Sequence, residues 1–516
     1  MSNISSSSSS SSKEDTKIRL LQWNILADGL GNDGFLSTEF NPVYESSDPD
    51  SKSYESNDFM RMVREAKKAD IASGMTETMK ELKNEENELR RMKLSDKDYD
   101  EIKSKVAVIK KKSDESRLVK LKQQFQNSPE LERVDKEILD WKMRYNRIKS
   151  IILCADPDVI TFQEMDHTKQ FLEDRIFSAR YTCLVDKART TYTPATYSDD
   201  DEDDDLSPNN YLNHVLNARV AFAPKSYSNA YSFRSKRSNS KLDLDDDGVA
   251  IFWKKEKLKP VELGFLKVPS IGIKSEAVVA LTLEYNTTKE KINILTTHLP
   301  SGDEANKELK RLDVLKKPKD DWIARRIRFD DNSWKEIDYE VDKNFDGIAS
   351  FARYFAKRIE IDSSRTIFAL DANSRPTFPL IKPSSSNELE YTETNVWKTI
   401  LGETKLESIW VQTSCLDMSG QVTNQEYPYL VSVNKMRGPL GDQPLKIGKH
   451  QLELIDHVFT NGKTSKLLKE VEINDKERVL MAPLLFTSKE GNAELNLYPS
   501  SKMPSDHLPV VVDITL

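Results

Sequence analysis

The most constraining feature of this chain is where it puts its polar side chains. Asn24, Glu164, His298, Asp371 with Asn373, Asp456, and Asp506 with His507 each lie within or just after a short apolar run. A carboxylate at the end of a buried strand is costly unless something compensates it. Bound Mg²⁺ is a common compensation, because it takes oxygen ligands from one or two carboxylates and completes its shell with water and phosphate. Taken singly, each position has an ordinary reading. Gln163-Glu164 reads as a surface strand edge, Asp371-Ala372-Asn373-Ser374 as an Asx turn, and His298 as a satisfied core histidine. Spaced in this order along one chain, they read as a set.

The apolar runs themselves predict strands. Ile18, Leu20 and Leu21 lead into Trp23-Asn24-Ile25-Leu26 as a buried first strand, and the glycines from Gly29 start a loop. Val159 to Phe162 delivers Gln163-Glu164, and Val249 to Trp253 is another strand. Ala277 to Glu284 and Ile292 to Thr297 form a strand pair ending at His298-Leu299-Pro300. Thr366 to Leu370 delivers Asp371, Leu452 to Phe459 carries Asp456, and Val510 to Leu516 closes the chain. An amphipathic helix is expected between Ser128-Pro129, a cap with a first-turn proline, and Asp156-Pro157. Its stripe is Leu131, Val134, Ile138, Trp141, Tyr145, Ile148 and Ile151. Residues 303–360 read as helical. The elements mix without a regular βαβ rhythm, which disfavours a parallel doubly wound sheet. They predict an α/β protein: two mixed β-sheets sandwiched together with helices on the outer faces.

Hydrophobic residues at 37% are few for a compact enzyme and charged residues at 31% are many, so an ordinary core is diluted by solvated segments. One such segment is residues 60–125, rich in Lys, Glu, Asp and Arg. There Met75, Met79, Leu82 and Leu89 share one helical stripe. It predicts a charged helical insertion, a hairpin or short coiled coil, that is either simply solvated or the seat of a protein partner. Residues 1–16 form a Ser-rich tail and 17–516 the domain. The tail lacks the apolar core of a signal peptide, and no run of about 18 apolar residues predicts a membrane span. Cys154, Cys183 and Cys415 form no CxxC pair, which fits a reducing compartment, cytoplasmic or nuclear. A net charge of −8 is unlike a generally basic nucleic-acid-binding chain, although a local basic groove would serve an anionic substrate.

The ordered set resembles the endonuclease/exonuclease/phosphatase superfamily, which includes deoxyribonuclease I, abasic-site endonucleases and poly(A) deadenylases. Its early W/YN, later QE, TH, D-x-N, ID and terminal SDH correspond here to Trp23-Asn24, Gln163-Glu164, Thr297-His298, Asp371-Ala372-Asn373, Ile455-Asp456 and Ser505-Asp506-His507. Within the superfamily the chain is most similar to the nocturnin and poly(A)-deadenylase-like branch. The similarity covers the opening strand Ile18 to Ala27, Gln163 to His167, Asp247-Gly248-Val249-Ala250-Ile251-Phe252, Tyr498-Pro499, and Pro504 to Leu508. Three departures bear on substrate. The usual Gly-Asp-Phe-Asn is Leu370-Asp371-Ala372-Asn373, Pro300 stands where that branch has a lysine, and the helical insertion is foreign to it.

The resemblance implies a deoxyribonuclease I-like four-layer sandwich and Mg²⁺-dependent hydrolysis of a phosphate ester, with one or two ions and Mn²⁺ as a substitute. By that resemblance Glu164, Asp506, Asp371 and Asn373 are the expected metal ligands. His507, oriented by Asp456, acts as general acid/base with Asp371, Asn373, His298 and Asn24. Lys225, Arg311, Lys435 and Arg437 lie near these segments and are candidate phosphate contacts, with exposed surface cations as the alternative reading. The implied substrates are the 2′-phosphate of a nucleotide such as NADP(H), the 3′ end of poly(A) RNA, or 2′,5′-linked oligoadenylate. Lipid and inositol phosphatases fit less well, since their PAWCDR-like signature is missing, and so does abasic-site cleavage. A non-catalytic scaffold using the insertion is the remaining alternative, but it would be expected to have lost one of these ligands.

Overall fold

The computed structural model describes residues 17–27, 133–165, 174–182, 248–269, 275–300, 305–316, 323–330, 333–336, 365–380, 390–423, 429–436, 450–486 and 497–515, with single or short stretches between them. The Ser-rich tail, the 60–125 insertion, Lys225 and Arg437 lie outside the described residues.

Two large sheets make the frame. The first takes β1 (Lys17–Asn24), β2 (Val159–Met165), β3 (Tyr181–Thr182), β4 (Phe222–Pro224) and β5 (Gly248–Lys254). The second takes β6 (Leu258–Pro269), β7 (Ser275–Tyr285), β8 (Lys291–His298), β9 (Ile323–Asp330), β10 (Ser333–Glu336) and β11 (Thr366–Asp371). A short pair, β12 (Thr377–Leu380) and β13 (Glu390–Glu393), follows. Next come β14 (Glu407–Ser408), β15 (Tyr429–Val431), β16 (Val433–Met436), β17 (His450–Glu453), β18 (Asp456–Thr460) and β19 (Lys463–Leu468). The chain ends with β20 (Glu470–Asn474), β21 (Glu477–Leu480), β22 (Leu484–Phe486) and β23 (Val510–Thr515). The first sheet runs β19-β23-β1-β2-β5-β3, with β4 also on β5, and the second runs β10-β9-β6-β7-β8-β11-β18-β14. Both are mixed. β1 runs parallel to β2 and β8 parallel to β11, while their other partners are antiparallel.

One continuous core joins the sheets, from Leu20, Ile160, Phe162 and Phe252 to Ile294, Phe368 and Phe459. Burying each such side chain contributes about 1.5–3 kcal/mol. Helices cover the outer faces. α1 (Trp141–Ala155) lays Trp141 and Tyr145 on Phe171, which meets Phe162 of β2 at 5.5 Å between ring centres. α2 (Arg175–Arg180) is a short helix capped by Asp174 and is followed directly by β3. α3 (Ala305–Lys316) and α4 (Asn395–Thr404) pack together, and Trp397 of α4 meets Phe459 of β18 at 5.4 Å. The expected sandwich is the one observed. Among the described residues no helix is long and apolar enough to cross a membrane.

The sequence reading errs in three places. The helix expected from Ser128 is interrupted at Leu139–Asp140, and α1 starts at Trp141 with the Asp140 side chain accepting from the Met143 N–H at 3.2 Å. Val134, Ile138 and Leu139 sit in a separate π-helical turn and pack on Leu26 and Phe35. A competing side-chain cap splits the apolar stripe between two cores. Residues 303–360 are helical at α3, but 323–336 carry the edge hairpin β9–β10. Three arginines in β9, Arg325, Arg326 and Arg328, give it the composition of a solvated helix in sequence. The strand expected over Leu452 to Phe459 is two strands, because the chain leaves the β16–β17 hairpin at Leu454-Ile455 to join the large sheet.

Candidate active site

Strand register brings the polar set together. Asn24 and Gln163 are partners at the ends of the parallel strands β1 and β2. In the second sheet Asp371 of β11 is flanked by His298 of β8 on one side and Asp456 of β18 on the other. The Val433–His507 bridge and the Leu508 N–H on the Ser432 carbonyl at 2.8 Å hold the terminal motif beside them. Asn24, His298, Asp371, Asp456, Asp506 and His507 are all buried.

Glu164 and Asp371 converge on one imidazole. His298 Nε2 lies 3.8 Å from Glu164 Oε1 and 3.3 Å from Asp371 Oδ2. Asn373 Nδ2 reaches the same ring nitrogen at 2.8 Å and donates to the Leu299 carbonyl at 2.9 Å. Asn24 Nδ2 donates to Asp371 Oδ2 at 2.9 Å, and the Ala27 N–H donates to Glu164 Oε2 at 3.2 Å. The Asn373 N–H on Asp371 Oδ1 at 2.8 Å forms the Asx turn, so the ordinary reading of that motif and the functional one describe the same atoms. Backbone strain marks the spot. Glu164 has φ +54° where the β2–β5 register shifts, and Leu26 and Asn373 are also left-handed. Such conformations cost about 1–3 kcal/mol at a non-glycine residue and persist only where neighbours fix them.

The second group is a His–Asp dyad. His507 Nδ1 lies 2.8 Å from Asp456 Oδ2, and its Nε2 lies 3.9 Å from Asp371 Oδ2. Burial alone would lower the His507 pKa, but Asp456, Asp506 and Asp371 attract its proton more strongly and push it up to about 10. Asp371 is the reverse case. Burial would raise its pKa, but the charges of His298 and His507, with hydrogen bonds from His298 and Asn24, hold it far below the carboxylate range.

Behind the dyad runs a buried relay that the sequence reading did not assign. Gln22 Nε2 donates to Asp456 Oδ1 at 3.0 Å and to Gln163 Oε1 at 2.9 Å, and Gln163 Nε2 donates to Thr296 Oγ at 2.8 Å. Ser432 Oγ accepts from the Ile455 and Asp456 N–H groups, and Ser505 Oγ donates to the Asn24 carbonyl at 2.7 Å. Two core tryptophans donate to the backbone of the dyad, Trp23 Nε1 to the His507 carbonyl at 2.8 Å and Trp410 Nε1 to that of Asp456 at 3.2 Å. A polar residue such as Gln22 inside an otherwise apolar strand was the one available signal for these. His457 is buried, and its Nε2 lies 3.0 Å from the Ser374 carbonyl, which ties down the Asp371–Asn373 loop.

The residues fit a hard divalent cation. Asp371, Asp456 and His507 offer atoms within 4.8 Å of one another. Asp456 is hydrogen-bonded to Gln22 and faces His507, and Glu164, Asp371 and Asp506 are the other carboxylates of the cluster. Glu164 and Asp371 both face His298 Nε2, and buried carboxylates gathered in this way suit an oxygen-seeking ion.

Of the candidate cations, Lys435 lies in the site, with Nζ on Asp506 Oδ2. Arg311 is buried and donates from Nε to the Pro300 carbonyl at 2.8 Å, beside the His298 segment.

Two mixed sheets thus gather the ordered polar motifs at one place. Among solved structures the chain is similar to the human nocturnin catalytic domain with bound sulfate, at 15% identity and a TM-score of 0.38, covering 73% of this chain and 87% of that one. ANGEL2, a 2′,3′-cyclic phosphatase, is similar at 14% identity and 0.37, covering 73% and 86%. D. rerio TDP2 complexed with a single-strand DNA product stands at 12% and 0.33, covering 73% and 92%. No family model and no curated protein sequence matches the chain.

Proposed function

We propose that the chain is a metal-dependent phosphoesterase that hydrolyses a phosphate ester on a nucleotide or an RNA 3′ end. The observation that carries this reading is that Glu164 and Asp371 both face His298 beside the Asp456–His507 dyad. Glu164 and Asp371, with Asn373 next to them, are the groups that would hold Mg²⁺ or Mn²⁺. A divalent ion there supplies positive charge to the phosphoryl oxygens as charge builds up on them.

The protein's own groups divide the rest of the work. Asp371 stays ionised at neutral pH and, with Asn373, is placed to orient the attacking water. His507, locked by Asp456, presents Nε2 on the same side as an acid or a phosphate contact. A positioned acid/base group of this kind contributes a factor of about 10²–10⁴. His298 and Asn24 keep the Asp371 carboxylate fixed, so little reorganisation is needed when charge develops. Lys435, Arg311, Lys225 and Arg437 remain the proposed substrate contacts.

By the sequence resemblance to the nocturnin and deadenylase-like branch, the first substrate to test is the 2′-phosphate of NADP⁺. The experiment measures Mg²⁺-dependent phosphate release, with Glu164→Ala as the control. Release by the wild type alone supports the phosphatase reading. No phosphate from NADP⁺, with nucleotides freed from poly(A) or 2′,5′-oligoadenylate, moves the substrate to a diester. No hydrolysis of any of the three overturns the proposal.

A further inference from the structure

Helix α1 carries a buried charge that the functional reading above does not use. Arg144 is fully buried, and its guanidinium donates to backbone carbonyls of two separate segments. Nη2 donates to the carbonyls of Ile25, at 2.5 Å, and Leu26, and Nε donates to that of Pro504 at 2.9 Å. We propose that Arg144 is a positioning residue for Glu164 and Asn24, acting through the two peptide units that run from Ile25 to Ala27. This rests on the phosphoesterase reading, in which Glu164 is a working carboxylate.

The connection runs through shared peptide planes. The Ile25 carbonyl and the Leu26 N–H belong to one peptide. Its carbonyl accepts from Arg144, and its N–H donates to Asn24 Oδ1 at 3.0 Å. The Leu26 carbonyl and the Ala27 N–H belong to the next. Again the carbonyl accepts from Arg144, and the N–H donates to Glu164 Oε2 at 3.2 Å. A peptide is planar, so fixing its carbonyl fixes where its N–H points. A cation at the carbonyl end also polarises the unit and strengthens its N–H as a donor to a carboxylate. The turn needs such a hold, because Leu26 is left-handed at φ +59° and a non-glycine residue keeps that conformation only where its surroundings fix it. The bond to Pro504 ties the same turn to the terminal motif. There Ser505 Oγ donates to the Asn24 carbonyl at 2.7 Å and accepts from the His507 N–H at 3.1 Å. Trp141, three residues before Arg144, braces the arrangement. Its ring centre lies 5.3 Å from Arg144 Cζ, and it stacks at 3.9 Å on His167, three residues past Glu164. Packing alone does not account for Arg144, since an apolar side chain at this place on α1 would bury no charge. Its rigid fork of donors suits carbonyls set in several fixed directions, which the single nitrogen of a lysine would not.

The test compares Arg144→Met and Arg144→Lys with the wild type as full chains, with folding followed by circular dichroism. Two readings are taken, steady-state hydrolysis of the responsive substrate and amide hydrogen exchange. Arg144→Met should lose about 10²-fold in kcat per folded molecule, the scale of a misplaced catalytic group, with KM changed only a few-fold. Arg144→Lys, which keeps the charge without the fork, should lose kcat in the same sense but less. In both variants the Leu26 and Ala27 amides should exchange faster than in the wild type, while those of the β1–β23 ladder stay equally protected. A folded Arg144→Met with wild-type kcat would overturn the proposal. So would a slow variant whose Leu26 and Ala27 amides exchange as in the wild type, because Arg144 would then not act through them. If Arg144→Met does not fold, Arg144→Lys decides by the same two readings. A wild type that hydrolyses none of the substrates is a different signature. It sinks the phosphoesterase reading, and the exchange measurement still decides whether Arg144 holds the turn.

Discussion

At its start β1 binds Asp513 through Arg19, whose Nε and Nη2 reach the two carboxylate oxygens at 2.6 and 3.0 Å. Five residues further on, about 17 Å along the strand, the same β1 delivers Asn24 into a cluster of acids. The two ends of the sheet both bury charge, with different balances. At the Arg19 end every carboxylate has a cation. Asp158 holds Lys257 at 2.7 Å and Lys254 at 3.5 Å, and Asp156 holds Lys254 at 2.9 Å and Arg180 at 3.6 Å. At the Asn24 end, Glu164, Asp371, Asp456 and Asp506 outnumber Lys435 and the protonated His507 among them. A balanced network can only hold strands together. An acid-rich one is unfavourable until a further cation arrives, and that deficit is what makes it a site.

The comparison breaks most sharply at Glu164. Glu164→Ala should lower hydrolysis of the responsive substrate by at least about 10³-fold, the scale of losing a preorganised charge-stabilising group, yet leave the melting temperature unchanged or higher because one repulsion is gone. A steady-state assay beside a thermal melt checks both halves. Excess Mg²⁺ should stabilise the wild type, by about 2.7 kcal/mol at a hundred times its dissociation constant, and this gain should vanish in the variant. Asp158→Ala should do the opposite. It leaves Lys254 its Asp156 partner but strands the Arg19 N–H, so denaturant unfolding should show a loss of about 1–3 kcal/mol with turnover per folded molecule retained. If turnover falls as far as in Glu164→Ala, the contrast between the two ends is wrong.

Trp23→Phe sharpens the comparison, because Trp23 lies on the strand both ends share. The ring stays apolar, but the His507 carbonyl loses its donor, for about 1–3 kcal/mol. Turnover should fall more than substrate affinity does, measured as kcat against KM. The smallest effect is expected at Asp174, the cap of α2. Burial opposes its ionisation, but Lys149 at 2.8 Å and the Phe177 N–H outweigh it and hold its carboxyl below the usual value. A depressed folded pKa stabilises above the unfolded value, near pH 4, and that contribution is lost as pH falls through the folded value. The melting difference between wild type and Asp174→Asn, measured from pH 7 to 3, should therefore shrink at the acid end.

How much was legible beforehand depends on whether a residue's role is local. Asn24, Glu164, His298, Asp371, Asp456 and His507 were visible because each is a polar group where an apolar strand ends, a local contradiction. The same logic recovered the two-sheet architecture, since those strands also frame the core. What escaped is set by register between distant segments. Gln22 looks like a stray polar residue until β18 brings Asp456 to it, and Lys435 looks like any surface cation until Asp506 lies against it. Charged strands were the other blind spot, because the arginines of β9 carry the composition of a solvated helix.

The order of strands in the first sheet governs when this molecule could begin to work. β1 pairs with β23, so Leu20 lies against Val512 and the first strand cannot gain its second neighbour until the last has been made. Pairing so remote in sequence folds slowly, because a very long loop must close before it is rewarded. A chain emerging from the ribosome would carry Glu164 and Asp371 long before it carried His507. Such a nascent chain could gather a cation but would lack the imidazole, and would stay silent until the segment carrying His507 had been made.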